Sequence, residues 1–354
     1  MAAAANRKAF VATVSANVAL RRDSGYKGSH HCMNSKLTRR QLLNRAGVVL
    51  GAAATGPSSV RAATDSAGPA CHRFHFSLNT GTILGQKLSI AEQIEVAAKA
   101  GYEGIEPWVR DIEKHAESGG SVKDLRQRCR DLGLQVVDAI GFPQWIVDDD
   151  AQRAKGVEQF KRDMELVAQI GGTRIAAPPA GANRAAKIDL DRAAERYRAI
   201  LDMGRRIGIV PQLEVWGAST NLGHAADAAY VAAKASHPDA CVLLDAFHMY
   251  KGGIEPAAMR LFGRQAIHCF HMNDYPADPP RETIKDAHRI WPGDGIAPLK
   301  QILANLAANH CDVMLSLELF NADYWKLPAL DAVKTGLAKM KAVVQATEAA
   351  RETR

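Results

Sequence analysis

From about residue 72 onward, short apolar runs alternate with longer stretches whose apolar positions recur three and four apart. The short runs, rich in β-branched and aromatic side chains, predict buried strands; the longer ones predict amphipathic helices. Strands are expected at 74–79, 102–106, 135–140, 174–177, 210–215, 241–245, 267–272 and 313–318. Helices are expected between them, at 89–100, 121–132, 150–170, 189–207, 224–236, 256–262, 298–307 and 328–348. Ser89-x-x-Glu92 and Ser121-x-x-Asp124 place hydroxyl caps at two helix starts, and Gly101, Gly133, Gly171 and Gly208 follow helices where a left-handed residue is needed. Eight strand–helix repeats predict a closed α/β barrel, the (β/α)8 TIM barrel. No Gly-x-Gly-x-x-Gly follows a strand to suggest a dinucleotide fold.

The chain's 354 residues, 47% of them hydrophobic, exceed what such a barrel needs by some 70 to 100 residues. Charge shows where the excess lies. Of 45 Lys/Arg and 38 Asp/Glu, residues 1–70 hold ten basic and two acidic ones, so the remainder is near neutral and offers no support for a polyanionic partner. Thr38-Arg39-Arg40-Gln41-Leu42-Leu43, followed by the small apolar run Ala46–Ala54, reads as a twin-arginine export signal with a cleavage region near Val60–Ala63. That run is too short to span a bilayer. The expected organisation is a leader over 1–63, a linker over 64–71, the barrel over 72–348 and a tail over 349–354, in a periplasmic protein without a stable membrane anchor. The six cysteines show no paired spacing, and Cys241 and Cys269, in apolar runs, read as small buried hydrophobes.

In a barrel the C-terminal strand ends meet at one mouth. The last four strands end in Leu213-Glu214, Leu244-Asp245, Phe270-His271 and Leu317-Glu318, so three carboxylates and an imidazole converge. An unpaired charge in an apolar strand is expensive, and no Lys or Arg lies within these strands to pair them. One divalent metal ion held by Glu214, Asp245, His271 and Glu318 resolves the conflict; oxygen and imidazole donors suit Mn2+, Mg2+, Co2+ or Zn2+. Glu106, Trp108, Phe142, Trp145, Trp216 and Trp291 follow strand ends or lie on mouth loops and are candidates for a sugar-stacking pocket, with His224 at a helix start pointing toward it.

These strand ends, with Leu-Asp-x-x-His and His-x-Asn-Asp, resemble the xylose-isomerase-like barrels, which include ketose 3-epimerases, inosose dehydratases and endonuclease IV. The resemblance covers residues 72–345. It implies that Glu214, Asp245, His271 and Glu318 are the metal ligands and that His248 contacts a substrate oxygen. The epimerase branch also has a substrate-binding Arg after the His ligand, for which Arg281 and Arg289 are the candidates. The expected function is isomerisation or epimerisation of a sugar or polyol, Glu214 and Glu318 exchanging a proton beside a carbonyl through an enediolate. Elimination from a keto-sugar, inosose or 3-keto-glycoside would use the same site. An endonuclease IV-like phosphodiesterase, suggested by Asp286-x-His288, lacks histidines at the second and third strand ends, which read Glu106 and Phe142. A non-catalytic sugar-binding protein is the remaining alternative; an amidohydrolase would need His-x-His in the first strand, where His72 and His75 are wrongly spaced. The expected partner is a small carbohydrate and not a nucleic acid, with homo-oligomerisation left open.

Overall fold

The computed structural model describes residues 74–309 and 311–352. The leader and linker expected over 1–71 lie outside the described residues. Among those described, no helix is long and apolar enough to cross a membrane.

Eight parallel strands form the barrel: β1 (Phe74–Asn79), β2 (Gly104–Glu106), β3 (Gln135–Val136), β4 (Arg174–Ala177), β5 (Val210–Glu214), β6 (Val242–Asp245), β7 (Ile267–Met272) and β8 (Val313–Leu317). β1 pairs with both β2 and β8, and the ladder runs on through β7, β6 and β5 to β4. Closure between β3 and β4 falls to a single bond beyond β3, from Ala176 N to Ala139 O at 2.9 Å. All eight strands lie where the apolar runs placed them. β3 is shorter than expected, because the backbone beyond Val136 leaves regular pairing to bond with the 107–109 segment instead.

The outer ring comprises α1 (Ile90–Ala100), α2 (Val109–Glu117), α3 (Val122–Asp131), α4 (Asp150–Ile170), α5 (Leu190–Ile207), α6 (Ala225–Ala235), α7 (Ala246–Lys251), α8 (Leu299–Ala308) and α9 (Ala329–Glu352). Ser89 caps α1 reciprocally with Glu92, the two bonds measuring 3.3 and 2.8 Å. Gly171 and Gly208 end α4 and α5 at φ 92° and 90°, where a side chain would be strained. The short α2 and α7 were not expected. α7 begins directly on a strand end, too short for periodicity to register.

Strand alternation produces two cores. Leu213, Leu244, Phe270 and Leu317 join the large apolar layer beneath the helices. Ile140, Ala176, Leu243 and Cys269 form a separate small cluster, which alternation assigns to the barrel interior. Above that plug the inward positions turn polar.

Candidate active site

Because Leu213, Leu244, Phe270 and Leu317 face outward, Glu214, Asp245, His271 and Glu318 face inward at the C-terminal mouth, each 5% exposed or less. Asp245 Oδ1 accepts from His248 N at 2.8 Å and so caps α7. Its Oδ2 accepts from Asn273 Nδ2 and Arg289 Nη1, both at 2.8 Å. Glu318 Oε1 accepts from Asn79 Nδ2 at 3.0 Å and Oε2 from Arg289 Nη1 at 2.7 Å. His271 Nδ1 lies 3.1 Å from Glu318 Oε2 and 3.7 Å from Asp245 Oδ2, yet makes no well-directed hydrogen bond. Its Nε2 is 2.8 Å from Glu106 Oε1. Glu106 Oε2 accepts from Asn79 Nδ2 at 2.8 Å and Ser316 Oγ at 2.7 Å.

The electrostatics follow from this wiring. Burial opposes a charged His271, but Glu106 and Glu318 outweigh it and hold the imidazole well above its ordinary pKa. Burial would raise Glu318, but His271 and Arg289 hold it below the usual carboxylate range. Glu214 is farther from these cations: burial dominates and pushes it up to about 8. Burial also lowers His248, helped by the Arg289 charge, although Asp245 opposes the shift.

Above these groups opens a cavity of about 350 Å³. Trp108, Phe142, Trp216 and Phe320 wall it, and Glu214, His248, Arg289 and Glu318 form its polar side. Trp108 meets Phe142 edge-on at 5.2 Å and Phe320 at 6.1 Å. Trp108 Nε1 donates to Asn79 Oδ1 at 3.1 Å, tying the aromatic wall to the carboxylates.

The structure therefore brings together Glu214, Asp245, His271, Glu318, His248, Trp108, Trp216 and Arg289. It places five other candidates elsewhere. Glu106, expected to touch substrate, is fully buried beneath His271 and has no access to the cavity. Trp145 is also fully buried, donating to Pro178 O at 2.8 Å and packing against Tyr197, so it belongs to the core. His224 is an exposed N-cap of α6, accepting from Ala226 N. Arg281 lies over the Tyr250 ring at 4.7 Å, lining a different depression. Trp291 likewise stacks on Tyr324 at 4.0 Å, away from the cavity.

No Lys or Arg lies within the last four strands, but from outside those strands a basic partner reaches the acids. Arg289, from the long β7–α8 connection, bridges two of them. Of the nuclease-like pair, Asp286 accepts from Arg289 Nη2 at 2.6 Å, while His288 accepts from Lys285 N within a 3-10 turn. Asn79, Ser316, Asn273, Phe320, Asn183 and Arg184 were missed. Asn79 was within reach of the strand-end rule, since it closes β1 just as Glu214 closes β5.

Comparison with known proteins gives the geometry its relatives. A sequence model described as "Xylose isomerase-like TIM barrel" matches residues 94–343. Inosose isomerase of Bacillus velezensis is 26% identical over 271 residues, covering 75% of this chain and 95% of that protein. The 3-dehydroshikimate dehydratase of Pseudomonas putida is 26% identical over 259 residues, 71% of this chain but only 39% of the larger relative. Among solved structures, the IOLI protein with a bound zinc atom superposes with a TM-score of 0.71 at 22% identity, over 77% of this chain and 99% of that one. The two sequence relatives are an isomerase and a dehydratase, both enzymes.

Proposed function

Because the chain belongs to the xylose isomerase-like TIM barrel family, we propose that it is a divalent-metal-dependent enzyme that isomerises or epimerises a sugar or polyol by moving a proton at a carbon beside a carbonyl. The observation that carries this reading is the convergence of Asp245, His271 and Glu318, with Glu214 beside them, under an aromatic-walled cavity of about 350 Å³. A cavity of this size suits a small ligand, and aromatic walls suit the C–H faces of a sugar.

The donor set fits a metal. One ligand atom from each of Asp245, His271 and Glu318 lies within 4.8 Å of the others, and His271 Nδ1 is a buried nitrogen without a hydrogen-bond partner aimed at the two carboxylates. Glu214 would complete the set from β5. The donors suit Mn2+, Mg2+, Co2+ or Zn2+, and a bound zinc atom in the IOLI structure, which shares this fold, agrees with a metal-dependent enzyme. When bound, the ion would polarise a substrate carbonyl and stabilise negative charge developing on it.

The chain's residues do the rest. Trp108 and Trp216, with Phe142 and Phe320, would hold the apolar face and exclude water. His248, with Nε2 on the polar side near Arg289, would orient a substrate oxygen. Of the three carboxylates that line the cavity, Asp286 is engaged by Arg289 at the rim; Glu214 and Glu318, at the strand ends, would take and return the proton, so Glu214→Gln and Glu318→Gln should each slow turnover by about 10²- to 10⁴-fold.

Incubation with ketoses, inososes and 3-keto-glycosides in deuterated water, with each of the four ions supplied, tests the reading by NMR. Deuterium should enter one carbon next to the carbonyl. Absence of exchange across all substrates and ions would remove the proposal. A second reading, elimination of water or a leaving group after the same proton transfer, is favoured by the dehydratase relative; it predicts an unsaturated product in the same spectra. We propose in addition that the chain is exported by the twin-arginine route. Replacing Arg39 and Arg40 by Lys should then retain the precursor in the cytoplasm, and unchanged cell fractions would refute this.

A further inference from the structure

We propose that Arg289 is a tethered cation that competes with the divalent ion for Asp245 and Glu318, so that metal loading requires its guanidinium to leave them. The inference rests on the metal-centre reading above and concerns how that centre fills.

The argument is a count of lone pairs. Each carboxylate oxygen offers about two acceptor positions. Asp245 Oδ2, the oxygen nearer His271 Nδ1, already accepts from Asn273 Nδ2 and from Arg289 Nη1, both at 2.8 Å. The other oxygen, Oδ1, is held by the backbone N–H of His248. For Oδ2 to face a metal, one donor must go. Asn273 is fixed from behind, its Oδ1 accepting from Phe247 N at 3.0 Å. Arg289 is the long, flexible partner. The same Nη1 is 2.7 Å from Glu318 Oε2, the oxygen nearest His271 Nδ1, so one guanidinium nitrogen occupies the edge of both carboxylates that the metal needs.

Arg289 also has somewhere to go. Its Nη2 is held at 2.6 Å by Asp286, whose side chain is 53% exposed at the rim, and lies 3.3 Å from His248 Nε2. The guanidinium packs by Phe247 and Phe320, at 4.8 and 5.2 Å from their rings. Pivoting on Asp286, it can release Nη1 from the carboxylates and still keep an anionic partner. The move would turn a donor toward the cavity as the ion enters. Before the ion arrives, the same contacts keep two buried carboxylates paired, a condition their burial demands.

The test is Mn2+ binding to the full chain after EDTA treatment, read from the free-ion EPR signal, for the wild type, Arg289→Met and Arg289→Lys. Met keeps length without charge, and the variant should bind Mn2+ at least ten-fold tighter. Lys retains a charge but lacks the planar fork; its affinity should rise by a smaller factor and decides the matter alone if the Met variant does not fold. In thermal melts without metal, Arg289→Met should unfold at lower temperature than the wild type, and saturating Mn2+ should close that gap. Equal or weaker Mn2+ binding by both variants, with the wild type binding normally, would overturn competition and leave Arg289 as a residue that positions the carboxylates. Failure of the wild type and of both folded variants to bind Mn2+, Mg2+, Co2+ or Zn2+ would instead overturn the metal-centre reading, and this proposal with it.

Discussion

Changing Glu106 to Gln removes one charge from beneath the site while leaving every cavity-lining side chain in place. Glu106 is fully buried and receives Asn79 Nδ2 at 2.8 Å, Ser316 Oγ at 2.7 Å and the His271 Nε2 contact at 2.8 Å. Without metal the acids around it keep His271 protonated on both nitrogens; when an ion binds, the ring must give up one proton, and an acceptor-only carboxylate at Nε2 keeps the remaining proton there, which leaves the Nδ1 lone pair facing Asp245 and Glu318. Gln presents a donor as well as an acceptor. If its oxygen keeps the Asn79 and Ser316 donors, its NH2 faces Nε2, and the ring proton moves to Nδ1, where it blocks coordination. Loss of such an outer partner typically lowers metal affinity by about 10- to 100-fold, or about 1.4 to 2.7 kcal/mol. Glu106→Ala would also strip all three donors of their acceptor, and leaving a buried donor unsatisfied costs about 1–3 kcal/mol each. Mn2+ titration and metal-free thermal unfolding on the same samples separate the two effects. Native Mn2+ affinity in a folded Glu106→Gln protein would show that Glu106 does not set the His271 tautomer, and the coupling drawn from the 2.8 Å contact would be wrong.

Other expectations follow from single residues. Burial pushes Asp163, in α4, to about 6 against an ordinary 3.8. Because the folded value is the higher one, the contribution of this group to stability is intact below pH 3.8, declines progressively between 3.8 and 6, and is gone above 6. A shift of that size amounts to about 3 kcal/mol at most, so Asp163→Asn should melt higher than the wild type at pH 8, keep part of that advantage near pH 5 and lose it below pH 3.8; equal melting at pH 8 would contradict this. Trp145→Phe deletes the bond to Pro178 O and should destabilise the fold by about 1–3 kcal/mol with an unchanged KM, which a raised KM would refute. Phe142 is 46% exposed, so Phe142→Ala should raise KM while moving stability by no more than about 0.5 kcal/mol, a split that steady-state kinetics and melting curves report directly.

What the sequence revealed and what it hid have physical causes. Glu214, Asp245 and Glu318 stood out because each interrupts or ends an apolar strand, and only closely opposed charge makes that tolerable. Strand order then brought them together without any knowledge of loops. Arg289 could not be paired with them this way, because a connection of more than twenty residues separates β7 from α8 and its path follows no periodicity. That path is set by Asp274, whose carboxylate gathers the backbone N–H groups of Gly293, Gly295 and Ala297 at 2.8–3.1 Å. Glu106 was misassigned for a related reason. The strand-end rule says that a side chain points inward at the mouth, but not how deep it sits, and Glu106 lies one storey below the cavity. Trp145 shows the limit of composition: an aromatic residue after a strand is as well suited to a core as to a sugar.

That depth difference divides the labour within the barrel. In the lower storey, Glu106 and Asp138 meet Asn79, Ser316 and Gln212 in short bonds, Asp138 Oδ2 accepting from Gln212 Nε2 at 2.6 Å. Asp138 lies where burial and the neighbouring Glu106 raise its pKa well above the usual carboxylate range, while Glu106 keeps its contact with His271. In the upper storey, Asp245 and Glu318 are held by Arg289, and Glu214 is left with the weakest cationic neighbourhood of the three. Five buried carboxyl groups thus share two basic side chains, His271 and Arg289, which touch Glu106, Asp245 and Glu318 directly. A small change in the lower storey is transmitted upward through the His271 ring, whose two nitrogens face the two storeys, and through the Asn79 amide, which donates to Glu106 below and Glu318 above. Substitutions in the lower storey should therefore alter what the upper carboxylates can bind, and, of the four aromatic walls, Trp108 is the one that a shift of Asn79 would reach.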